Sequence, residues 1–241
     1  MKQARREWLV GLSSLGAAAV LIGCKKSAST ESEVANEPAD EEVEVTATED
    51  LMREHGILRR ALLVYQESAM KLRHGAGIPP EPLQKTAKLF RAFGEEYHEK
   101  RLEEVYIFPA VKKVGGAAGG YADVLIAQHQ RGREITDFIT AATAGPKGLT
   151  GNVEAFAGAL ESLARMYEHH AAIEDTVVFP AWKKTLNSEG LDEMNEKFEA
   201  IEHEQFGEDG FENALKEITE IEQSLGLIDL GQFTAPIPPS K

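Results

Sequence analysis

The stretch that decides the fold is HHAAIEDTVVFPAW, which runs from His169 to Trp182. It places two histidines ahead of a Glu-Asp pair and then passes through apolar residues into Phe-Pro. A near copy, HEKRLEEVYIFPAV, runs from His98 to Val111 and carries His, Glu-Glu and Phe-Pro at matching offsets. The chain therefore contains an internal repeat whose two halves share polar and apolar positions.

Helical periodicity dominates from about Glu49 onward, and no strand-like alternation persists. Runs rich in Gly and Pro, HGAGIPPEP and AGPKGLTGN, separate the helices, and Pro109 and Pro180 are expected to kink or break them. The run GGAAGG (115–120) is interpreted as a linker between the halves. The predicted helices are A at about 49–72, B at 83–114, C at 121–142 and D at 153–186. Four long helices with short turns predict an all-α, up-down-up-down four-helix bundle over 49–186.

Two further segments flank this bundle. Residues 187–241 are predicted to form a C-terminal extension with two helices, 191–206 and 210–225, and an extended tail. Residues 25–48 lack aromatics and are rich in Glu, which is typical of a disordered acidic tether.

The first 24 residues have the pattern of a signal peptide, with a positive head and the apolar run LVGLSSLGAAAVLIG. The run ends in LIGC, which resembles a bacterial lipoprotein processing box, so Cys24 is the predicted lipidation site and membrane anchor. Arg5-Arg6 resembles a twin-arginine export signal, although ordinary signal heads also carry paired arginines. We expect a lipid-anchored, extracytoplasmic protein of the bacterial cell envelope.

The 241-residue chain has a formal net charge of −14, which argues against a nucleic-acid partner because nucleic acid requires a basic surface. Cys24 is the single cysteine, so neither a disulfide nor a thiolate metal site is available within the chain.

Each predicted bundle helix carries histidine within an amphipathic stretch. The helical period brings His170 and Glu174, four residues apart, toward the same point inside the bundle. His98 and Glu103, like His169 and Glu174, are five apart, a spacing that requires a helical bulge, a long reach or another partner. Glu99, four before Glu103, therefore competes with His98 as the inward group.

Several imidazoles and carboxylates in one apolar interior are costly to bury unless a cation satisfies them together. These donors, without thiolate, suit iron, manganese or zinc. They are too numerous for one tetrahedral zinc ion, and one carboxylate from each half could bridge a pair of ions. A dinuclear iron site is therefore the preferred interpretation. The candidate ligands are His55, His98, Glu99, Glu103, His129, His169, His170, Glu174 and His203.

The chain resembles the hemerythrin-like, or HHE cation-binding, family through Glu54-His55, HEKRLEEVYIFP, His129 and HHAAIEDTVVFP. The resemblance implies a non-heme di-iron centre. It assigns Glu103 and Glu174 as bridging carboxylates, and His55, His98, His129 and His170 as terminal imidazoles.

The chain departs from the pattern of oxygen-carrying hemerythrins at three places. Arg133 stands four past His129, where those proteins carry a second histidine, and Glu99 occupies the histidine position before Glu103. The pair His169-His170 leaves the ligand on helix D open. His203, between two glutamates, either supplies a missing imidazole or lies on a solvated acidic face.

These observations favour a binding protein over an enzyme, with oxygen or a related small molecule bound or sensed at the metal centre. The alternative is a di-iron enzyme that turns over peroxide, nitric oxide or oxygen. Iron storage or donation is ranked last, because no sequence feature indicates many irons per chain. A protein partner is not identified by the sequence.

Overall fold

The computed structural model describes residues 45–145, 149, 151–208 and 210–239. Within this part of the chain the regular structure is helical and no strand occurs. The helices are α1 (Ala47–Arg73), α2 (Pro80–Leu89), π1 (Phe90–Ile107), α3 (Phe108–Val114), α4 (Gly116–Thr143), α5 (Val153–Ile173), π2 (Glu174–Val178), α6 (Phe179–Lys183), α7 (Ser188–Phe206) and α8 (Gly210–Leu225). A short 3-10 turn, Leu230–Phe233, follows α8. The predicted all-α bundle with two additional C-terminal helices is confirmed.

Predicted helix A is α1, and local signals explain where it begins and ends. The Thr46 hydroxyl accepts a hydrogen bond from the Glu49 N–H, and Glu49 and Asp50 lie in the first turn, near the positive end of the helix dipole. The basic residues Lys71 and Arg73 lie in the last turn. The buried side of α1 packs against α5, so the first and last helices of the bundle are neighbours.

Helices B and D are each built from an α-helix, a π-helical segment and a short α-helix. Helix B comprises α2, π1 and α3, and helix D comprises α5, π2 and α6. Pro109 and Pro180 lie in the first turns of α3 and α6, directly after the π-helical segments, so each proline coincides with a change of helix type. The expected breaks are therefore changes of helix type rather than loops.

The interpretation of Gly115–Gly120 as a linker is wrong for most of the run. The helix α4 begins at Gly116, and Ala118 is buried. The turn itself lies at Gly115 and Gly116, whose φ angles of 80° and 70° favour glycine. A Cβ atom at Gly119 would come within 2.9 Å of the Val111 carbonyl oxygen. Glycine therefore allows α3 and α4 to approach closely.

The C-terminal helices complete the core. Phe198 and Ile201 of α7 are buried, as are Phe211, Ile218 and Ile221 of α8, and the pair packs against α1, α2 and π1. No helix in the described part of the chain is both long and apolar enough to cross a membrane. The signal peptide, Cys24 and most of the tether lie outside the described residues.

Candidate metal centre

Six buried side chains from the four bundle helices converge at one point in the interior. The histidines come one from each bundle helix, and the two glutamates come from the π-helical segments. They are His55 (α1), His98 and Glu103 (π1), His129 (α4), His170 (α5) and Glu174 (π2). Each is at most 3% exposed, so these groups are shielded from bulk solvent.

The imidazoles form two pairs. The Nε2 atoms of His55 and His98 lie 3.0 Å apart, and those of His129 and His170 also lie 3.0 Å apart. We call the first pair subsite 1 and the second pair subsite 2. All four histidines therefore direct the same ring nitrogen toward the centre of the bundle.

Glu103 spans the two subsites. Its Oε1 lies 3.3 Å from His98 Nε2 in subsite 1, and its Oε2 lies 3.3 Å from His129 Nε2 in subsite 2. Glu174 makes the same connection from the opposite half of the chain. Its Oε2 lies 3.5 Å from His55 Nε2, and its Oε1 lies 3.0 Å from His170 Nε2. Each subsite thus receives two imidazole nitrogens and one oxygen from each carboxylate.

The helix types explain which residues point inward. A π-helix repeats its hydrogen bonds at i→i+5, so π1 aligns His98 with Glu103, five residues later. His170 lies in α5, whose i→i+4 repeat aligns it with Glu174. The structure therefore places His98 and His170 at the centre. His169 is exposed on α5, and Glu99 contacts other groups.

Each inward histidine is held from behind by a residue of the neighbouring helix. An ionised carboxylate can only accept a hydrogen bond. Where the partner is such a carboxylate, the histidine Nδ1 therefore carries the proton, and the lone pair of Nε2 faces the centre. The Nδ1 contacts are His98 to Glu54 Oε2 at 2.6 Å, His129 to Glu104 Oε1 at 2.9 Å, His170 to Gln128 Oε1 at 2.9 Å and His55 to Asp175 Oδ1 at 2.7 Å. The four contacts form a closed ring around the bundle.

Sequence reasoning missed all four of these supporting residues. A signal was present, because each is the sequence neighbour of an inward residue: Glu54 precedes His55, Glu104 follows Glu103, Gln128 precedes His129 and Asp175 follows Glu174. The periodicity of one helix does not reveal that such a neighbour supports a histidine of a different helix.

Two tyrosines near the histidines extend this layer. The Tyr97 hydroxyl donates to Glu54 Oε1 at 3.0 Å, and the Tyr167 hydroxyl donates to Glu99 Oε1 at 2.6 Å. The second oxygen of Glu99 accepts a hydrogen bond from Arg133 at 3.1 Å, and Arg133 also donates to Glu104. Arg133 and Glu99, two of the three departures from the oxygen-carrier pattern, therefore pair with each other beside subsite 2.

The electrostatics of the Glu103 and Glu174 carboxylates are unfavourable without a cation. Burial raises the pKa of Glu174 well above its usual range, and the nearby Glu103 carboxylate raises it further. Burial acts in the same direction on Glu103, but His98 and His129 outweigh it and hold that pKa well below its usual range. Burial also raises the pKa of Glu54 to about 7, against the opposing effect of His98.

The residues present fit a pair of metal ions. All four oxygens of Glu103 and Glu174 are buried without a hydrogen-bond partner, although such groups are costly to leave unsatisfied. Donor atoms of Glu103, His129, His170 and Glu174 lie within 4.8 Å of one another, as do those of His55, His98 and Glu103. Two cations between the carboxylates would satisfy all four oxygens.

The structure does not bring every candidate ligand to this centre. His203 is exposed on α7 and does not supply a further imidazole, because its helix presents Glu202 rather than His203 to the interior. His169 faces solvent one residue before His170. Glu99 is buried but is occupied by Tyr167 and Arg133.

A small cavity lies at the centre itself, because five of the six convergent residues line it: His55, His98, Glu103, His170 and Glu174. Its volume is about 10 Å³, which is close to the room needed by one water-sized group. Leu58, Leu62 and Ala171 form its apolar wall, and Tyr167 and Glu99 also line it. The cavity therefore has no room for an organic substrate.

Comparison with known proteins agrees with this geometry. The hemerythrin HHE cation-binding domain matches residues 46–182 and again residues 121–225. Uncharacterized proteins of Mycobacterium bovis and Mycobacterium tuberculosis are 42% identical to the chain over 196 residues, which cover 81% of this chain and 76% of theirs. No solved structure matches the chain. On its sequence match, helical bundle and His/Glu cluster, the chain belongs to the hemerythrin HHE cation-binding domain family.

Proposed function

We propose that this protein holds two non-heme iron ions and binds or senses oxygen or a related small molecule at the cell envelope. The observation that carries the proposal is the pair of buried carboxylates, whose four partnerless oxygens each face an imidazole nitrogen. Imidazole and carboxylate ligands also bind manganese or zinc, so elemental analysis of the purified protein is needed to identify the metal.

Each of the convergent residues would have a separate role in holding the ions. His55 and His98 would hold one ion, His129 and His170 the other, and Glu103 and Glu174 both. Two adjacent ferrous ions supply two electrons at one place, which is the chemistry that oxygen binding at a dinuclear centre requires. Leu58, Leu62 and Ala171 would provide the apolar wall of the cavity, and the ring of Nδ1 contacts would keep each imidazole oriented.

The size of the cavity argues against an organic substrate. Its volume of about 10 Å³ is close to that of one water-sized group, which is consistent with a very small ligand. The envelope location is supported by the signal-like first 24 residues and by the LIGC box around Cys24.

The alternative function is a di-iron enzyme that turns over peroxide, nitric oxide or oxygen. A specific observation favours it, because Tyr167 and Glu99 line the cavity and share a hydrogen bond. Burial raises the pKa of Tyr167 well above its usual range, so its hydroxyl keeps the proton that it donates to Glu99. A proton held by this pair would be close to a reaction that consumes protons at the centre.

Metal analysis followed by optical spectroscopy tests these proposals. The purified protein is expected to contain about two iron ions per chain, and fewer than two transition-metal ions contradicts the dinuclear site. Anaerobically reduced protein is then exposed to oxygen. A new visible absorption band that disappears under vacuum supports reversible binding, whereas consumption of peroxide or nitric oxide over many turnovers supports the enzyme.

A further inference from the structure

The two subsites have the same inner donors. Each offers two imidazole Nε2 atoms and one oxygen from each bridging carboxylate. The inner groups alone therefore give no reason for one ion to bind more tightly than the other. Any difference must come from the groups that hold the imidazoles from behind.

Those supporting groups differ in charge. In subsite 1 both imidazoles contact carboxylates, His98 with Glu54 and His55 with Asp175. In subsite 2 His129 contacts the Glu104 carboxylate, but His170 contacts the neutral amide oxygen of Gln128 at 2.9 Å. An imidazole hydrogen-bonded to a carboxylate is a stronger electron donor to its metal, so the His170 ligand is the weakest of the four.

The wider surroundings carry charge on both sides. One arginine contacts the supporting groups of each subsite, Arg59 at Asp175 and Arg133 at Glu104. Near subsite 1, carboxylate oxygens of Asp50 and Glu202 lie within 4.8 Å of Glu54, and Asp50 also pairs with Arg53. Near subsite 2, a carboxylate oxygen of Glu99 lies within 4.8 Å of Glu104 and His129. The difference between the subsites therefore rests on the direct contact of the neutral Gln128 with His170.

We infer that the two ions bind with unequal affinity, that subsite 1 fills first, and that Gln128 sets this order as a positioning residue. The inference rests on the dinuclear site of the proposed function. On this inference, the neutral amide of Gln128 lowers the affinity of subsite 2 through its contact with His170. A residue with a purely structural role would not affect the order in which the subsites fill. The ion in subsite 2 is then the more easily lost, and the centre passes through a state with one ion.

The test measures cobalt(II) binding to the full-length protein by visible absorption, in variants that keep one subsite each. His170→Ala removes a ligand of subsite 2, and His55→Ala removes a ligand of subsite 1. The His170→Ala protein, which keeps subsite 1, is expected to bind its cobalt ion roughly 10-fold more tightly than the His55→Ala protein, which keeps subsite 2. This factor is at the lower end of the roughly 10–100-fold range for changes in the groups that support metal ligands. Circular dichroism confirms that both variants are folded.

Gln128→Glu is the matched change, because it adds a carboxylate at nearly constant shape. In the His55→Ala background it is expected to raise cobalt affinity by about 10-fold, and in the His170→Ala background to leave it unchanged. In the otherwise unaltered protein, Gln128→Glu should make the affinities of the first and second cobalt ions more nearly equal.

Equal affinities in the two single-subsite variants would overturn the inference, as would a Gln128→Glu effect in the His170→Ala background. These results would leave the dinuclear site intact. Binding of only one cobalt ion to the unaltered protein contradicts the dinuclear site itself, so the two failures are distinguishable.

Discussion

At the scale of single residues, the burial of the Glu103 and Glu174 carboxylates costs stability in the absence of metal. Glu103 and Glu174 are fully buried, and their oxygens have no hydrogen-bond partners. Two such groups close together cannot both ionise cheaply in an apolar interior. The metal-free protein therefore carries a local cost at this point, which bound cations remove.

The first prediction concerns Glu174→Gln, which keeps the shape and removes the charge. Metal content should fall below two ions per chain, because both subsites lose a charged oxygen. The melting temperature of the metal-free protein should not fall. The added stability on saturating with metal, about 2.7 kcal/mol at 100 times Kd, should largely disappear. Calorimetry with and without a chelator measures both effects, and an unchanged metal response would contradict the bridging role.

A second residue-scale prediction concerns Gly132 on α4. A Cβ atom there would meet the Tyr167 hydroxyl oxygen at 2.0 Å, so only glycine leaves room for the contact between Tyr167 and Glu99. Gly132→Ala should lower the free energy of unfolding by about 1–3 kcal/mol through overpacking. Gly120→Ala on the same helix has open space and should stabilise by about 1 kcal/mol. Denaturant unfolding measures both, and equal effects would contradict the steric argument.

At the scale of helices, π1 decides the identity of one inward group. His98 lies five residues before Glu103, and an α-helix would turn it away from that glutamate. The π-helical repeat restores the alignment, as expected for a helix type that is rare and concentrated at functional sites. Helix D needs no such adjustment before Glu174, because His170 is four residues away in α5.

The third prediction moves the histidine by one residue, as His98→Ala combined with Glu99→His. This change places an imidazole four residues before Glu103, the spacing that suits an α-helix, and leaves no donor at position 98. Because π1 aligns residues five apart, the moved histidine should miss the centre and metal content should fall toward one ion per chain. Elemental analysis measures this loss, with His169→Ala as the control that should retain both ions. Full metal content in the double variant would show that π1 is not required.

At the scale of the whole molecule, the C-terminal helices belong to the same folded unit as the bundle. Glu202 of α7 accepts a hydrogen bond from the Phe211 N–H at the start of α8, and its carboxylate also lies near Glu54 behind His98. Phe206 packs edge-on against Tyr97, with ring centres 5.2 Å apart. Through these contacts the C-terminal helices pack against Glu54 and Tyr97, the residues behind His98 in subsite 1.

The fourth prediction follows from this packing. Ile218 of α8 is fully buried, so Ile218→Ala should cost about 2–5 kcal/mol and lower the temperature of a single unfolding transition. Lys216→Ala, at an exposed position of the same helix, should have little effect. Two separate transitions, or an unchanged bundle transition in Ile218→Ala, would show that the extension folds independently.

The sequence by itself determined the helical bundle and most of the residues that converge in it. The 3.6-residue periodicity, the Gly and Pro punctuation and the repeat of His98–Val111 in His169–Trp182 are local signals, and local signals predict helices well. The same periodicity placed His170 and Glu174 on one face. The six convergent residues were all among the nine predicted metal ligands.

Only the tertiary structure decided between His98 and Glu99, placed His169 and His203 on the surface, and revealed the supporting ring. The first choice depends on a π-helix, which side-chain periodicity does not distinguish from an α-helix over a few residues. The ring depends on contacts between helices, such as that from Glu54 to His98, 44 residues apart in the chain. Such contacts are set by how the helices pack, and no pattern within one helix records them.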